Sequence, residues 1–243
     1  MSTRFTVCTY NVWADSRREE REAPLREFLR FHTPDILCLQ ELRGWSRELI
    51  EEALPTHECV TDDFEGWTVE GNVFWNRELF DCLEYGAEDI GMIEPLRRLF
   101  WARLRSGDRT ALVSTAHYTW IGNRVEADGG PSPRFEQARR TVEELDRLAE
   151  HNEPTLFMGD LNDFAHPIRI LREGGLLDSF PALGRFTAPT HPAMPTASGT
   201  PQAIDYIMSR GAIRPLTTEV VDFHLGDIAP SDHKPVLATY CLI

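Results

Sequence analysis

Short apolar runs, separated by charged stretches and turn residues, set the pattern of this chain of 243 residues. Residues 5–10, 36–40 and 155–158 are almost uniformly apolar, which predicts buried strands. Residues 17–31 and 135–149 place their apolar side chains at helical spacing, which predicts amphipathic helices. The same criteria predict two more helices, over 45–54 and 167–172, and eight more strands, over 58–60, 69–75, 80–85, 99–104, 110–116, 203–208, 218–223 and 236–241.

The order of these elements indicates a layered α/β protein. The chain opens as β-α-β-α-β, continues as hairpins, and then returns to α-β and β-β units. This order predicts two sheets packed together with helices outside. Candidate site residues occur in both halves, so we expect a single domain over residues 1–243. Two long loops, 119–133 and 186–202, interrupt the pattern, and loops as long as the second are often functional or mobile.

The charge balance narrows the range of partners. Asp and Glu outnumber Lys and Arg by 39 to 25, which gives a formal net charge of -14. A protein that binds long nucleic acid without sequence preference usually carries a basic footprint, and none is visible over the whole sequence. Arginines do concentrate locally, around 97–98, 103–105 and 134–140. The charge therefore favours a small substrate without excluding nucleic acid.

Cysteine usage and hydropathy bear on where the protein works. The five cysteines show no paired spacing, and Cys8, Cys38 and Cys241 lie within apolar runs. This pattern predicts reduced, buried thiols rather than disulfides or a zinc site. No stretch approaches the ~20 apolar residues that span a bilayer, and residues 1–4 lead into a strand without a visible signal peptide. We therefore expect a cytoplasmic protein without a membrane partner. We also expect a monomer.

Several predicted strands end on a side chain that can hold a phosphate or a metal ion. One ends on Asn11, the next on Glu41, a third on His117 and a fourth on Asp160, and Asp232-His233 stands just before the last strand. Layered α/β proteins usually place their sites where strands end at a sheet edge. Five such coincidences therefore predict a single cluster at one edge of a sheet.

Two of these strand ends admit both a functional and a structural interpretation. Carboxylate and amide oxygens suit Mg²⁺ or Mn²⁺, so Glu41 near Asn11 is a candidate metal ligand; a helix-capping or solvated Glu is the alternative. In Gly159-Asp160-Leu161-Asn162, extended backbone would place Asp160 and Asn162 on one face. Asp160 can then orient or deprotonate a water while Asn162 donates to a phosphoryl oxygen. An Asx turn is the structural alternative.

A charged residue within an apolar strand gives a further signal. Asp205 lies in the run 203–208, and a buried carboxylate is costly unless it is paired. His233 is the obvious partner, because an Asp–His hydrogen bond fixes the tautomer and favours the imidazolium. Asp232 beside it offers a metal or water ligand. A structural ion pair is the alternative here, and a structural histidine is the alternative for His117.

Six segments together carry a resemblance to a known family. They are Thr9-Tyr10-Asn11-Val12-Trp13, Leu39-Gln40-Glu41, Ala116-His117, Gly159-Asp160-Leu161-Asn162, Ile204-Asp205-Tyr206-Ile207 and Ser231-Asp232-His233-Lys234-Pro235-Val236. In this order they resemble the motifs of the endonuclease/exonuclease/phosphatase superfamily, which is DNase I-like. The resemblance runs from residue 5 to residue 240. It implies a four-layer αββα sandwich of two packed mixed β-sheets flanked by helices, and Mg²⁺- or Mn²⁺-dependent hydrolysis of a phosphoester.

The resemblance implies which residues hold the metal ion and the phosphate. Glu41 would bind the metal ion, and Asn11 and Asp232 would lie close to the metal or the phosphate. A family arginine or tyrosine before the His-bearing strand corresponds to Arg98, with Arg97 as the alternate.

The resemblance also implies the residues that act on water and the scissile bond. Asp160 would orient the attacking water, and Asn162 would steady the pentavalent transition state. His233, held by Asp205, would bind or protonate the phosphate. His117 would assist the phosphate or the leaving group.

The resemblance extends to the start of the predicted helix over 135–149. Arg134 and Gln137 are similar to an Arg-x-x-Gln pair found on the equivalent helix of some members. Helical spacing places them on one face. A solvated helix end remains the alternative.

Three functions are compatible with these residues. The first is a metal-dependent phosphodiesterase or phosphatase acting on a small molecule, and the second is a DNA or RNA endo- or exonuclease of the same fold. A non-catalytic binding module is the third, and it would be expected to lack one of the acidic or histidine residues at the site. Glu41, Asp160, Asp205, Asp232 and His233 are all present, which favours an enzyme.

Overall fold

The computed structural model describes residues 4–243; residues 1–3 of the predicted domain lie outside the described part. Twelve strands and seven helices follow one another over these residues. The strands are β1 (Arg4–Asn11), β2 (Ile36–Gln40), β3 (His57–Cys59), β4 (Gly71–Asn76), β5 (Asp81–Glu88), β6 (Leu99–Ser106), β7 (Arg109–His117), β8 (Thr155–Asp160), β9 (Leu177–Asp178), β10 (Asp205–Arg210), β11 (Ile213–Val220) and β12 (Val236–Leu242). The helices are α1 (Arg18–His32), α2 (Gly44–Ala53), α3 (Gly66–Val69), α4 (Arg124–Ala127), α5 (Pro133–Leu148), α6 (His166–Glu173) and α7 (Ser179–Ala182).

Two six-stranded mixed sheets form the centre of the fold. The first has the order β11-β12-β1-β2-β4-β3, and the second has the order β5-β6-β7-β8-β10-β9. The pairs β1–β2 and β7–β8 are parallel, and the other neighbours are antiparallel. Each parallel pair is connected through a helix, α1 or α5, because parallel neighbours require a crossover connection.

Three apolar layers hold the sheets and helices together. The layer between the sheets contains side chains such as Val7 and Met158. A second layer packs α1 and α2 on the first sheet and includes Phe28. A third packs α5 and α6 on the second sheet and includes Phe157. The predicted four-layer sandwich of two packed mixed sheets flanked by helices is therefore confirmed.

Strand periodicity decides which layer each side chain enters. Successive side chains point to opposite faces, so Val7 lies between the sheets while Cys8 lies under α1 and α2. On β8, Met158 faces the other sheet and Phe157 faces the helices. These strands are covered on both faces, which explains why the sequence shows continuous apolar runs there rather than alternation.

The structure differs from the predicted elements mainly at the sheet edges. The last but one strand was expected over 218–223, but β11 spans Ile213–Val220. It is an edge strand that tolerates Pro215 and an irregularity before Thr217, so it lacks the apolar signature of a central strand. The very short elements α3, α4, β9 and α7 carry too few residues to show a period and were not predicted.

The cysteines and the helices bear on two further properties of the chain. All five cysteines are free thiols, and Cys8, Cys38 and Cys241 are buried as predicted. Among the helices formed by residues 4–243, none has the length and apolar character to cross a membrane.

Candidate active site

Strand register places three of the predicted residues in one row. His117 at the end of β7 is paired with Asp160 at the end of β8, and Asp160 is paired with Asp205 at the start of β10. Residues paired across neighbouring strands have side chains on the same face of a sheet. Met158, two residues before Asp160, faces the other sheet, so this row faces the other sheet as well. The row is the polar end of the layer between the sheets.

Gly159 allows β7 and β8 to approach closely beside this row. Its φ is 154°, and a Cβ atom at this position would lie 2.0 Å from the carbonyl oxygen of Ala116. A side chain at residue 159 would therefore force the two strands apart. The glycine fixes the spacing between His117 and Asp160.

The first sheet meets this row with polar side chains of its own. Asn11 Nδ2 donates to Asp160 Oδ2 at 3.0 Å and to Glu41 Oε1 at 3.1 Å. Gln40 Nε2 donates to Thr115 Oγ1 on β7 at 2.8 Å. The cluster therefore draws on both sheets, and the expectation that it lies at the edge of a single sheet is wrong. The reason is that facing strands of the two sheets end at the same level.

The segment before β12 brings His233 into the cluster. Ser231 Oγ donates to the carbonyl oxygen of Asn11 at 2.7 Å, and the backbone N–H of His233 donates to Ser231 Oγ at 3.1 Å. His233 Nδ1 lies 2.8 Å from Asp205 Oδ2, and its Nε2 lies 3.7 Å from Asp160 Oδ2. The structure thus forms the Asp205–His233 pair that the sequence predicts.

Burial and neighbouring charges set the protonation states of Asp160 and His233. Burial raises the pKa of Asp160 to about 7, although the charge of His233 opposes the rise. Burial alone would lower the pKa of His233, but the carboxylates of Asp205 and Asp160 outweigh burial and raise it to about 10. The site therefore combines a carboxylate that can exchange a proton near neutral pH with an imidazolium that stays charged.

His117 is neutral in this environment. Burial, and then the charges of Arg97 and His233, hold the pKa of His117 well below its usual range. Its Nε2 lies 3.3 Å from Asp160 Oδ2, so this contact joins a neutral imidazole to a carboxyl group rather than two charges. Its Nδ1 is buried and has no hydrogen-bond partner within residues 4–243. A buried polar atom without a partner in the chain is free to bind a ligand atom.

Two carboxylates that flank strands of the first sheet, Glu41 after β2 and Asp232 before β12, could hold a metal ion. Glu41 follows β2 with a φ of 55°, is half-buried, and accepts its hydrogen bond from Asn11. Burial raises the pKa of Asp232, and the carboxylate of Glu41 adds to the rise while His233 opposes it. A nearby cation would relieve the repulsion between these half-buried carboxylates, and their hard oxygens suit Mg²⁺ or Mn²⁺. This donor set fits the cofactor that the sequence predicts.

Asn162 lies in a turn rather than in extended backbone. Its φ is 49°, and its N–H donates to Asp160 Oδ1 at 2.9 Å, which closes the Asx turn considered as the alternative. The expectation that Asp160 and Asn162 share one strand face is therefore wrong. The turn still keeps the two residues together, and Asn162 Nδ2 donates to the carbonyl oxygen of Tyr118 at 3.0 Å.

Comparison with known proteins identifies the family of the chain. The model of the Endonuclease/Exonuclease/phosphatase family matches residues 8–233. The chain belongs to this family. No curated protein sequence matches it.

Solved structures of the endonuclease/exonuclease/phosphatase family share the fold. D. rerio TDP2 complexed with single strand DNA product is 18% identical, with 98% of this chain and 99% of that chain covered and a TM-score of 0.82. A family protein from Bacteroides thetaiotaomicron is 21% identical, with 100% and 99% covered and a TM-score of 0.81. A mannosyl-6-phosphatase from the same species is 22% identical, with 96% and 98% covered and a TM-score of 0.79. At these identities the likeness shows the fold alone.

Arg98, the predicted substrate-binding arginine, does not lie at the site. Its guanidinium lies over the ring of Phe64, 5.1 Å from the ring centre. The alternate, Arg97, approaches the cluster instead and donates to the carbonyl oxygen of Tyr118 at 3.3 Å, next to His117. Neighbouring residues at the entrance of a strand point in opposite directions, and the sequence does not say which of them faces the site.

Arg134 and Gln137 support one wall of the site. Both are buried, so the alternative of a solvated helix end is wrong. Arg134 donates to the carbonyl oxygen of Thr119 at 3.0 Å and forms ion pairs with Glu126 at 2.6 Å and Asp163 at 3.2 Å. Gln137 Nε2 donates to Thr119 Oγ1 at 2.8 Å. These contacts hold the segment after β7 against the turn after β8.

Two residues of the long loop before β10 lie at the site although no sequence pattern marks them. The ring of His191 lies 4.8 Å from that of His233, and its Nε2 lies 3.8 Å from Asp232 Oδ2. Thr190 Oγ1 accepts the backbone N–H of Asp205 at 3.1 Å. A loop rich in Pro and Thr has no period from which the orientation of a side chain can be read. The only available signal was a histidine in that loop.

Proposed function

We propose that this chain is a divalent-metal-dependent phosphoester hydrolase that acts on compact phosphoesters, as a monomer with one domain over residues 1–243. The environment of Asp160 carries the proposal. Its buried carboxylate contacts Asn11, His117 and His233 at once. With a pKa of about 7, it is suited to orient a water and accept its proton at neutral pH.

His233 would supply positive charge and a proton to the phosphoryl group. The carboxylate of Asp205 accepts from its Nδ1, which fixes the ring and leaves Nε2 on the side of Asp160. Donation from that Nε2 to a phosphoryl oxygen would stabilise the charge that develops as water attacks. Neutral His117 would contact the phosphate or the leaving group, and Asn162 would donate to the transition state.

Glu41 and Asp232 would hold Mg²⁺ or Mn²⁺, with Asn11 beside them. The bound ion supplies Lewis-acid neutralisation of the phosphoryl charge. Asn11 donates to both Glu41 and Asp160, and its Oδ1 accepts from the backbone N–H of Trp13 at 2.9 Å. In this orientation Asn11 connects Glu41, the proposed metal ligand, with Asp160, which would orient the water. Its role as a direct metal ligand stays a prediction.

Five basic side chains in the segments around the cluster already pair with carboxylates, which supports a compact substrate. These ion pairs of 2.6 to 3.3 Å join Arg17 to Glu20, Arg43 to Asp15, Arg97 to Glu70, Arg134 to Glu126, and Lys234 to Asp222. A nucleic-acid strand gains affinity when free Lys and Arg replace its counterions. Engaged cations on a chain with net charge -14 provide little of that affinity.

A nuclease acting on single strands is the second candidate. Trp120 and Phe164 follow His117 and Asp160 closely and are 55% and 58% exposed. Exposed aromatic rings are platforms on which unpaired bases stack. The structural relative TDP2 from D. rerio was solved with a single strand DNA product. These two observations favour a single strand over a duplex.

Hydrolysis of two model esters tests the proposal. Bis(p-nitrophenyl) phosphate and p-nitrophenyl phosphate would be assayed with Mg²⁺, with Mn²⁺ and with EDTA, beside single-stranded DNA, plasmid DNA and RNA. We expect metal-dependent cleavage of a small ester and intact nucleic acids. Faster cleavage of a polymer would replace the proposal by the nuclease. Absence of hydrolysis with either metal ion would contradict both.

A further inference from the structure

Arg21 on α1 is an arginine whose entire hydrogen-bonding capacity is used inside the protein. The side chain is fully buried. Its Nε donates to the carbonyl oxygen of Ser16, its Nη1 to those of Val12 and Pro230, and its Nη2 to those of Trp13 and Ala14. A guanidinium has five N–H donors, so every one of them is matched by a backbone oxygen. The distances are 2.6 to 3.1 Å.

The five acceptors belong to two segments that carry site residues. Residues 12–16 follow Asn11 directly, and Pro230 precedes the segment Ser231-Asp232-His233. The two segments come from opposite ends of the sequence and meet at Arg21. Ser231 makes a second link between them through its hydrogen bond to the carbonyl oxygen of Asn11. Arg21 thus lies one layer behind the side chains that would bind metal ion and phosphate.

The conformation of residues 12–16 requires such support. Trp13 and Ala14 have φ values of 59° and 41°, in the left-handed region that residues with a Cβ atom seldom adopt. The guanidinium of Arg21 binds the carbonyl oxygens of both and lies 5.1 Å from the centre of the Trp13 ring. Strained backbone of this kind persists only where surrounding contacts over-determine it.

The buried positive charge of Arg21 is compensated by its surroundings. A buried cation is costly unless opposite charge or hydrogen bonds compensate it. Burial lowers the pKa of Arg21, and the carboxylates of Asp232 and Glu41 oppose that shift. The cation therefore lies within the field of the two candidate metal ligands without contacting them, and its direct contacts are backbone oxygens.

We propose that Arg21 is a positioning residue that fixes the Asn11 segment and the Asp232-His233 segment relative to each other. It touches neither substrate nor metal ion and acts through the backbone of both segments. The inference that the relative position of the two segments controls catalysis rests on the proposed phosphoester hydrolysis. The effect of Arg21 on the position of the two segments does not. Lysine would keep the charge but lacks the planar fork that reaches five oxygens.

Arg21→Lys tests the proposal, with Arg26→Lys as the matched control. Arg26 lies on the same helix, and its partner is the exposed Glu52 at 2.7 Å. Hydrogen–deuterium exchange would be followed in peptides covering 12–16 and 229–234, and in α5 as a reference. We expect faster exchange in both segments of Arg21→Lys, no change in α5, and no change in Arg26→Lys. Exchange in the two segments that equals the control, or that rises evenly over the chain, would overturn the proposal.

Kinetics separate positioning from plain stabilisation. In folded Arg21→Lys we expect kcat for the small ester to fall about 10- to 100-fold, as for other residues that orient ligands from behind, with KM changed by less than about threefold. Guanidinium chloride at low concentration should restore part of the kcat lost in Arg21→Ala, but should not change Arg26→Ala. Full kcat in folded Arg21→Lys would overturn the catalytic part of the proposal. If the unmodified protein hydrolysed no phosphoester, the proposed function would fail, and the exchange experiment would still decide the role of Arg21.

Discussion

Asn11 on β1 donates one amide hydrogen bond to Asp160 on β8, 3.0 Å away across the gap between the two sheets. The same amide nitrogen donates to Glu41 at 3.1 Å. One side chain therefore joins the carboxylate that would orient water to the carboxylate that would bind metal ion. The two sheets do not merely pack against each other at this level, because their polar ends form one hydrogen-bonded cluster.

Replacement of Asn11 should impair catalysis more than stability. In Asn11→Ala, Asp160 and Glu41 lose their common donor, and we expect kcat to fall about 100-fold because the reacting groups are no longer held in place. Asn72→Ala is the matched control, since Asn72 is equally buried on β4 but bonds only to the backbone of Val60, Trp67 and Val73. That variant should lower the midpoint of urea unfolding and leave the kcat of the folded protein unchanged. Equal kcat values for the two variants would contradict the link.

His233 should remain protonated in the metal-free protein far above the usual range of a histidine. Its pKa is raised from 6.5 to about 10 by the facing carboxylates, which outweigh burial. A raised folded-state pKa stabilises the fold fully below the unfolded value of 6.5, and this stabilisation is lost as pH rises through about 10. An NMR titration of the imidazole, assigned with His233→Gln, measures the pKa directly. Asp205→Asn should lower it; titration near 6.5 in the unmodified protein would contradict the pairing.

Glu41 should determine the affinity for the metal ion. Glu41→Gln removes the negative charge but keeps the shape, so we expect Mn²⁺ binding to weaken about tenfold or more. Electron paramagnetic resonance of free Mn²⁺ measures this affinity without any substrate. Glu48→Gln on the exposed face of α2 is the matched control and should bind Mn²⁺ normally. A Glu41→Gln variant with unchanged affinity would place the metal ion elsewhere.

Gly159→Ala should destabilise the fold through a backbone collision. The new Cβ would meet the carbonyl oxygen of Ala116 at 2.0 Å, so β7 and β8 would have to separate. We expect the free energy of unfolding to fall by about 3 kcal/mol. Gly107→Ala is the control, because Gly107 also has a positive φ, 63°, but open space around it. That variant should lose only about 1 kcal/mol; equal losses in urea unfolding would remove the argument for close approach.

The central strands were predictable because burial on both faces leaves a strong signal. The run 36–40 coincides with β2, and 5–10 lies within β1. The edge strand β11 was misplaced, since one exposed face and Pro215 weaken that signal. The apolar content of a segment indicates how many faces of a strand are buried, so it locates central strands well and edge strands poorly.

The members of the candidate site were predictable one by one, but their arrangement was not. A polar residue at the end of a buried run marked Asn11, Glu41 and Asp160 independently. Nothing in the sequence shows that strands of two different sheets end opposite each other, because packing between sheets has no local signature. The choice between Arg97 and Arg98 also required the structure, because neighbouring residues of a strand point in opposite directions and the sequence does not show which of them faces the site. Each is adjacent to the same strand, and only one approaches His117.

The turnover of Asp160→Asn tests the central claim most directly. The substitution keeps the size of the side chain but removes the carboxylate that would accept a proton from water. Asp108→Asn, in the exposed hairpin turn between β6 and β7, is purified in parallel as the control. We expect Mn²⁺-dependent hydrolysis of the small ester to fall about 100- to 10,000-fold in Asp160→Asn and to stay unchanged in Asp108→Asn. Normal turnover by folded Asp160→Asn would contradict the proposed mechanism.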